Sequence, residues 1–398
     1  MPSRFTFPVA VSAAAAVVLL GALLAGAVLS APAASDRDHD EPWQAAQRGY
    51  TWEFPRDLGI HPDYKTEWWY VTGHLFPVGT EPAEAMAFQL TFFRVGLVPP
   101  GVTATDSDWA AGDLVMAHAA LARPAAKTHD FTEVMWRAAP LLGGFGGAAD
   151  TTLAWCQAPT GTAGRWEITR RGDAFVLRAR DDRKGFAYDL VCTPSRPLVL
   201  HGDGGFSPKS AAGDEGSLYF SYTRMEVSGT VTAGGRTIDV AGTSWLDREI
   251  FTSTLAENQT GWDWLSLQLD DGRDLMLYRL RDAQGREDFA LGTLVAVDGK
   301  VSKLPGEQWE LSPLESWQSP ATGAEYPVVW RLQIPAEGID LELRAVMPEQ
   351  ENVSPLTGIH YWEGAVIAAP RGAKPGTGNL GRGFIELTGY GKDSRPPV

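Results

Sequence analysis

Alternation of apolar and polar residues, the pattern of β-strands, runs through almost the whole chain after about residue 50. In the second half, apolar segments of strand length are separated by short turns that contain glycine or aspartate. The turn glycines Gly272, Gly285 and Gly299 are 13 and 14 residues apart. This spacing suits strands of about nine residues joined by tight hairpins. It predicts an antiparallel meander.

The predicted strands are numerous enough to form two barrels. From about residue 235 the chain holds roughly eight strands, the number that closes a small barrel able to enclose one ligand. The first half repeats the pattern with longer loops, and no window of about 15 residues shows a helical period. Closing each sheet hides the unpaired N–H and C=O groups of edge strands. We therefore predict an all-β protein of two tandem antiparallel β-barrels, at residues 49–228 and 229–398.

The first 34 residues have the composition of a targeting segment. Arg4 precedes an apolar run from Val9 to Leu29, and a stretch of small residues follows it. That order is typical of a secretory signal, although a run of about 21 residues is also long enough to span a bilayer. We expect residues 1–34 to be a cleaved signal or an uncleaved anchor, and 35–48 to be a tether. Either alternative predicts a protein exported to the periplasm or the cell exterior, free or tethered to the inner membrane.

Charge and cysteine content exclude several classes of function. The chain has 34 Lys and Arg against 49 Asp and Glu, a net charge of −15, and no basic stripe. An acidic surface repels phosphate backbones, so nucleic-acid binding is excluded. Cys156 and Cys192 belong to no metal-binding spacing, and in an oxidising compartment they either form one disulfide or stay as buried thiols. Scattered histidines predict no metal site. The one G-x-G-x-x-G string, at residues 376–381, lies in an all-β region with no βαβ unit, so we interpret it as a turn and predict no cofactor.

Three clusters place ionisable groups among aromatic side chains. They lie at residues 63–74, at 242–249 with 262–264, and at 360–364. Side chains alternate along a strand, so Glu67 and Trp69 share one face while Trp68 and Tyr70 share the other. A carboxylate on so aromatic a strand would be expensive to bury unpaired. The clusters therefore form either a ligand site or a barrel floor of aromatic side chains with a structural network of ion pairs.

The same clusters carry a resemblance to a known family. The string FPRDLGIHPDYKTEWWY at 54–70 resembles the opening motif of the AttH and carotenoid 1,2-hydratase (CrtC-like) family. The strings GWDW at 261–264 and YWEG at 361–364 resemble its later motifs. The resemblance covers residues 50–391 and implies a secreted bacterial protein of two lipocalin-like (calycin) barrels with a hydrophobic ligand. The family contains carotenoid hydratases, related fungal hydratases and pericyclases, and proteins described only as predicted secreted hydrolases.

One segment departs from the pattern of the carotenoid hydratases. Their string aromatic-His-Asp-His-Asn-Trp is matched here by WLDREI at 245–250, so that Asp247 is kept and both histidines and the tryptophan are replaced. Hydration of an isolated alkene needs a strong proton donor and an aromatic wall beside the cation. Asp247 could be that donor only if burial raised its pKa, and we expect the neighbouring Arg248 to lower it. The departures favour a binding protein over a hydratase.

We therefore expect an exported protein that binds an apolar small molecule or lipid, such as an isoprenoid or acyl chain, for carriage or transfer. An ABC-type membrane transporter is a candidate partner. The expected ligand-binding residues are Trp69, Tyr70, Arg94, Trp245, Arg248, Trp262, Trp264, Tyr361 and Trp362. The alternative is a lyase that adds water to an isoprenoid C=C bond, or a related pericyclase, with Asp247 as the acid and Glu67 or His74 as its partner.

Overall fold

Two antiparallel sheets make up nearly all regular structure in the computed structural model. It describes residues 43–79, 85–102, 110–213, 215–374, 378–391 and 394–396. The predicted signal or anchor lies outside these ranges, as does most of the predicted tether. Within them, no helix has the length and apolar character needed to cross a membrane.

The first sheet contains 13 strands among the described residues. They are β1 (Thr66–Pro77), β2 (Met86–Gly96), β3 (Asp113–Arg123), β4 (Thr128–Arg137), β5 (Gly143–Phe145), β6 (Thr152–Gln157), β7 (Arg165–Arg171), β8 (Ala174–Asp181), β9 (Phe186–Pro194), β10 (Val199–Leu200), β11 (Phe206–Pro208), β12 (Gly216–Ala233) and β13 (Arg236–Phe251). The order is β4-β3-β2-β1-β13-β12-β9-β8-β7-β6-β5, and β10 and β11 pair with β12. Because β4 contacts β5 and β6, the sheet curls back on itself.

The second sheet contains ten strands in the same described part of the chain. They are β14 (Gln259–Leu269), β15 (Asp274–Asp282), β16 (Glu287–Val295), β17 (Val301–Pro305), β18 (Glu310–Gln318), β19 (Glu325–Ile334), β20 (Ile339–Ala345), β21 (Glu351–Val353), β22 (His360–Pro370) and β23 (Gly381–Leu387). The order is β17-β16-β15-β14-β23-β22-β20-β19-β18, and β21 pairs with β22. Short 3-10 turns lie at Arg56–Leu58, Pro124–Ala126, Gly306–Gln308 and Pro335–Glu337.

The predicted all-β class with two barrel-like sheets is confirmed, one sheet being nearly closed and the other a half-barrel. The predicted meander is also present, because β14, β15, β16 and β17 pair in sequence order. Its turn glycines Gly272, Gly285 and Gly299 have φ values of 93°, 73° and 85°. Residues with a side chain rarely adopt that left-handed region.

The passage between the two sheets lies later in the chain than the predicted boundary at residues 228 and 229. That boundary falls inside β12, which forms a long hairpin with β13 from Leu218 opposite Ile250 to Ala233 opposite Arg236. Strand β13 in turn pairs with β1 along its length. The chain leaves the first sheet after Phe251 and enters the second at Gln259 because these two pairings keep β13 in the first barrel.

Each barrel is filled by its own side chains. Trp69, Phe88, Phe92 and Trp166 are fully buried in the first, and Tyr326, Trp330 and Trp362 in the second. A third cluster, which includes Tyr70, Tyr219, Trp245, Trp264 and Phe384, packs between the two sheets. It exists because alternate side chains of the facing strands point outward from their barrels.

The two cysteines are buried and free. Cys156 lies on β6 and Cys192 on β9, and strands β7 and β8 separate them in the sheet. Burial raises the pKa of the Cys192 thiol to about 12. Of the two alternatives, the structure therefore contains unreactive thiols rather than a disulfide.

Candidate functional site

A cavity of about 170 Å³ lies between the outer faces of the two sheets. Trp68 and Phe93 form its wall on the first sheet, and Trp262, Trp264 and Leu280 form its wall on the second. An engineered apolar cavity of about 150 Å³ holds a benzene molecule, so this space can hold a hydrocarbon group of at least that size. This cavity thus lies between the two sheets and not inside either barrel.

A row of polar side chains crosses the first sheet on the face that borders the cavity. Direct cross-strand partners, taken from β12 to β3, are Ser221, Asp247, Tyr70, Thr91 and His118. Neighbouring strands lie about 4.8 Å apart, so Asp247 and His118 are about 14 Å apart along the sheet. The polar groups of the cavity therefore fall into two regions, one around Asp247 and one around His118.

Asp247 is the most chemically informative member of this row. It is 3% exposed, and its Oδ1 accepts hydrogen bonds from Trp245 Nε1 at 2.6 Å and from Ser221 Oγ. Burial raises the pKa of Asp247 to about 7, although hydrogen bonds from Ser221, Trp245 and Tyr219 act to lower it. The carboxyl group of Asp247 therefore titrates near neutral pH.

The expectation that Arg248 lowers the pKa of Asp247 is wrong. Because side chains alternate along β13, Asp247 faces the cavity and Arg248 faces the interior of the first barrel. The Arg248 guanidinium is bonded there to Glu67 and lies 3.8 Å from the centre of the Trp69 ring. The raised pKa of Asp247 follows from this separation.

Two further carboxyl groups lie on the opposite sheet. Glu363 on β22 and Glu386 on β23 are direct cross-strand partners, and Tyr70 Oη donates to Glu363 Oε1 at 2.5 Å. Burial raises the pKa of Glu386 to about 8. Burial and repulsion from Glu386 also raise the pKa of Glu363 well above its ordinary value. Three carboxyl groups of this interface, Asp247, Glu363 and Glu386, thus have a raised pKa.

The second polar region surrounds Tyr361. Its hydroxyl lies 2.7 Å from His118 Nδ1 and accepts a hydrogen bond from Gln89 Nε2 at 3.3 Å. Gln89 Nε2 is also 3.4 Å from Glu363 Oε2 and so connects this region to the acids. Burial lowers the pKa of His118 to about 3, and the ring is therefore neutral near pH 7.

A buried ion pair forms part of the cavity wall near Asp247. Lys209 Nζ lies 2.7 Å from Glu249 Oε1 and 4.2 Å from the centre of the Tyr278 ring. Ser217 Oγ also donates to Glu249. The charge of Lys209 is thus already satisfied by a carboxylate and an aromatic face. In the described part of the chain, no group of three or more His, Cys, Asp or Glu side chains is arranged to hold a metal ion.

The structure brings together some predicted site residues and separates others. Tyr70, Asp247, Trp262, Trp264 and Tyr361 line the cavity, and Trp245 lies beside it in contact with Asp247. The remaining predicted residues lie elsewhere: Glu67, Trp69, Arg94 and Arg248 in the first barrel, Trp362 in the core of the second, and His74 at a separate point of the interface.

Glu67 belongs to an ion cluster rather than to the cavity. It bonds to Arg248, to Arg94 Nη1 at 3.1 Å and to His61 Nδ1 at 3.1 Å. Burial would raise the pKa of Glu67, but these three partners outweigh it and lower the pKa to about 2. The Glu67 carboxylate therefore stays ionised. Of the two alternatives for this cluster, Glu67 belongs to a structural network of ion pairs and not to a ligand site.

His74 is a buried neutral side chain. Its Nε2 lies 3.0 Å from the carbonyl oxygen of Gly383, and burial lowers its pKa to about 4. It contacts the second sheet through that carbonyl and borders no wall of the main cavity. The structure therefore does not pair it with Asp247.

The structure adds residues that the sequence did not single out as site residues, chiefly Glu363, Glu386, Tyr219, His118 and Gln89. A detectable signal existed for two of them, because Glu363 and Glu386 are each the single acid of a strand and are flanked by apolar residues on at least one side. Such a residue must find a partner or take up a proton when it is buried. The sequence did not show which face of each sheet packs against the other barrel.

An open space between two lipocalin-like sheets, bordered by aromatic side chains and by carboxyl groups of raised pKa, is a candidate small-molecule site. The chain belongs to the AttH-like family, whose model matches residues 45–390. The predicted family is thereby confirmed. No curated protein matches the chain.

Solved structures agree with this assignment. The chain is similar to a protein of Nitrosomonas europaea provisionally assigned as an AttH, with 32% identity, a TM-score of 0.74 and coverage of 88% of this chain and 100% of that one. It is also similar to kievitone hydratase from Nectria haematococca, with 14% identity, a TM-score of 0.59 and coverage of 87% and 95% respectively. The second likeness concerns the fold alone.

Proposed function

We propose that this protein is a hydratase-type lyase that adds water to a C=C bond of an uncharged, mainly hydrocarbon molecule such as an isoprenoid. One observation carries the proposal: Asp247 is buried in an aromatic cavity with a pKa near neutrality. A general acid works best when its pKa lies near the operating pH. The kievitone hydratase that shares the fold suggests which reaction to test, and the support comes from the cavity itself.

The proposed reaction needs only a proton and water. The alkene π electrons take the proton of Asp247 to form a C–H bond, which leaves a cation on the other carbon. The faces of Trp262 and Trp264, which border the cavity, favour a positive charge. Water then forms a C–O bond to the cation, and its excess proton returns to the Asp247 carboxylate. Hydrogen bonds from Ser221 and Trp245 stabilise that carboxylate while it is ionised.

The departures from the carotenoid hydratase string weigh less than the sequence suggested. Leu246 packs in the core of the first barrel, Arg248 bonds to Glu67 there, and Ile250 packs with Phe206 and Leu218. All three lie on the face of β13 turned away from the cavity. These three replacements therefore change the first barrel, and only the fourth, Glu249 at the Asn position, lies in the cavity wall.

The charges around the cavity support an uncharged substrate. Lys209 is paired with Glu249, and Arg94 and Arg248 are held by carboxylates in the first barrel. A carboxylate or phosphate on the ligand would lose water without gaining a free cation, which is costly. Protonated carboxyl groups can instead donate hydrogen bonds to a neutral oxygen.

A labelled-water assay tests the proposal. The protein is incubated in ¹⁸O-labelled water with a panel of uncharged isoprenoid alkenes, and products are analysed by mass spectrometry. We expect a product heavier by one labelled water, and we expect Asp247→Asn to abolish it. Asp173→Asn, in an exposed turn, is the matched control and should keep full turnover. The proposal fails if no alkene gains water or if Asp247→Asn retains the activity.

The apolar wall of Trp68, Phe93 and Leu280 also supports a second candidate, a carrier of an apolar molecule. Export and delivery to an ABC-type transporter belong to this candidate and stay predictions. Native mass spectrometry of the protein isolated from cells separates the two. A carrier should retain a chemically unchanged ligand, and Asp247→Asn should not alter that ligand, whereas a hydratase should release a hydrated product.

A further inference from the structure

We infer that His201 is a positioning residue for Asp247 and that it acts through Ser221. The catalytic meaning of this inference rests on the proposed function, but the contacts do not. His201 follows β10, is fully buried, and donates its backbone N–H to the carbonyl of Tyr219 at 3.0 Å. Its ring centre lies 4.3 Å from that of Tyr219. The imidazole is therefore held by both backbone and ring contacts.

Four side chains form a continuous path of hydrogen bonds to the acid. Thr293 Oγ1, on β16 of the second sheet, lies 2.9 Å from His201 Nδ1. His201 Nε2 lies 2.6 Å from Ser221 Oγ, and Ser221 Oγ donates to Asp247 Oδ1. The path thus begins in the second barrel and ends at the carboxyl group that faces the cavity.

The direction of these hydrogen bonds follows from counting protons. Burial lowers the pKa of His201 to about 3, with a smaller contribution from the charge of Lys209, so the ring is neutral and has one N–H. Ser221 uses its only proton toward Asp247, so His201 Nε2 must be the donor to Ser221 Oγ. Nδ1 then accepts from the hydroxyl of Thr293. The tautomer of His201 therefore fixes the direction in which the Ser221 hydroxyl points.

This arrangement acts on Asp247 without adding charge. The titratable groups that interact with Asp247 are Glu249 on β13, Tyr219 on β12, Tyr70 on β1, and Glu363 and Glu386 on the second sheet. Any negative charge on these groups raises the pKa of Asp247. Because His201 is neutral, its replacement changes none of these charges. A change in the pKa of Asp247 would therefore report the loss of an oriented hydrogen bond.

Carbon-13 NMR titration of protein labelled at the aspartate side-chain carboxyl carbons tests this inference, with Asp247→Asn identifying the resonance. Ser221→Ala removes a hydrogen bond to the carboxylate itself, so we expect it to raise the pKa of Asp247 by about one unit. His201→Phe leaves the Ser221 hydroxyl without the donor that orients it, so we expect a smaller rise in the same direction. The double variant should shift the pKa no further than Ser221→Ala alone, because His201 acts through Ser221.

Two further variants separate positioning from general disruption. His201→Gln should keep the pKa of Asp247 close to its wild-type value, because the glutamine amide can donate to Ser221 and accept from Thr293. His129→Phe is the matched control, since this histidine also bridges the sheets, through Asn352 at 2.7 Å, without contacting Asp247. It should leave the titration of Asp247 unchanged.

Turnover supplies an independent readout once a substrate is found. His201→Phe should lower kcat and move the alkaline limb of the pH profile upward, with little change in KM. The inference is overturned if folded His201→Phe or Ser221→Ala protein shows the wild-type pKa for Asp247. If His201→Phe does not fold, Ser221→Ala and His201→Gln decide the result. Failure of the proposed function gives a different result. The His201 and Ser221 variants would then still shift the pKa of Asp247, but Asp247→Asn would leave turnover intact.

Discussion

Asp247→Asn should make the protein more stable at alkaline pH than the wild type, with an advantage that disappears under acidic conditions. The pKa of Asp247 rises from about 3.8 to about 7 on folding. Between those two values the folded protein holds a proton that the unfolded chain has lost. The stability of the wild type therefore falls as the pH rises through this window, and it levels off above about pH 7.

The size of the effect follows from the shift. A difference of about three pKa units corresponds to about 4 kcal/mol, at about 1.4 kcal/mol per unit. Asparagine has nearly the same shape, cannot ionise, and keeps an oxygen that accepts hydrogen bonds from Trp245 and Ser221. The variant should therefore not lose stability as the pH rises through this window. We expect its stability relative to the wild type to increase by up to about 4 kcal/mol between pH 4 and pH 8.

Urea unfolding followed by tryptophan fluorescence, repeated between pH 4 and pH 8.5, measures this difference. Glu67→Gln is the control of opposite sign, because the pKa of Glu67 is lowered to about 2. The ionised Glu67 carboxylate makes its full contribution to the free energy of unfolding above about pH 4.5, and this contribution is lost as the pH falls toward 2. Glu67→Gln should therefore be less stable than the wild type throughout pH 5 to pH 8, by about 3–5 kcal/mol where its partner His61 is protonated and by less at higher pH, because Glu67 raises the pKa of His61. If the Asp247→Asn difference is independent of pH, the interpretation of Asp247 is refuted.

Three other perturbations give distinct results. In a pH–rate profile, hydration should decline as the pH rises through about 7, since Asp247 must hold its proton; a rate that increases with pH would contradict this. Leu280→Trp should fill part of the cavity and weaken binding of an apolar fluorescent probe at least about tenfold, by about 1.4 kcal/mol; unchanged binding would place the ligand elsewhere. Arg248→Met should destabilise the fold by about 3–5 kcal/mol in urea unfolding, because it removes a buried partner of Glu67. A loss of about 1 kcal/mol or less, as for an exposed ion pair, would show that this buried ion cluster does not stabilise the fold.

Strand alternation made much of this architecture predictable. It separated Glu67 and Trp69 from Trp68 and Tyr70, and these pairs do lie on opposite faces of β1, one in the first barrel and one toward the cavity. Turn glycines likewise located the hairpins of the second sheet. Both signals are local, since each depends only on residues close together in sequence.

The site itself depended on contacts that no local pattern encodes. Adjacency suggested that Arg248 acts on Asp247, yet the alternation that divides β1 also turns these two side chains to opposite faces. Glu363 and Glu386 meet only because β22 and β23 pair in one particular register. The cavity required knowing that the outer faces of the two sheets pack together, which periodicity within each strand cannot reveal.

Incorporation of deuterium tests the central claim most directly, because the claim is that Asp247 transfers a proton to carbon. A candidate alkene is incubated in D₂O with the wild type and with Asp247→Asn, and the product is examined by NMR. We expect one deuterium on the carbon next to the new hydroxyl-bearing carbon with the wild type, and no product with the variant. Equal deuterium incorporation by folded Asp247→Asn would contradict it.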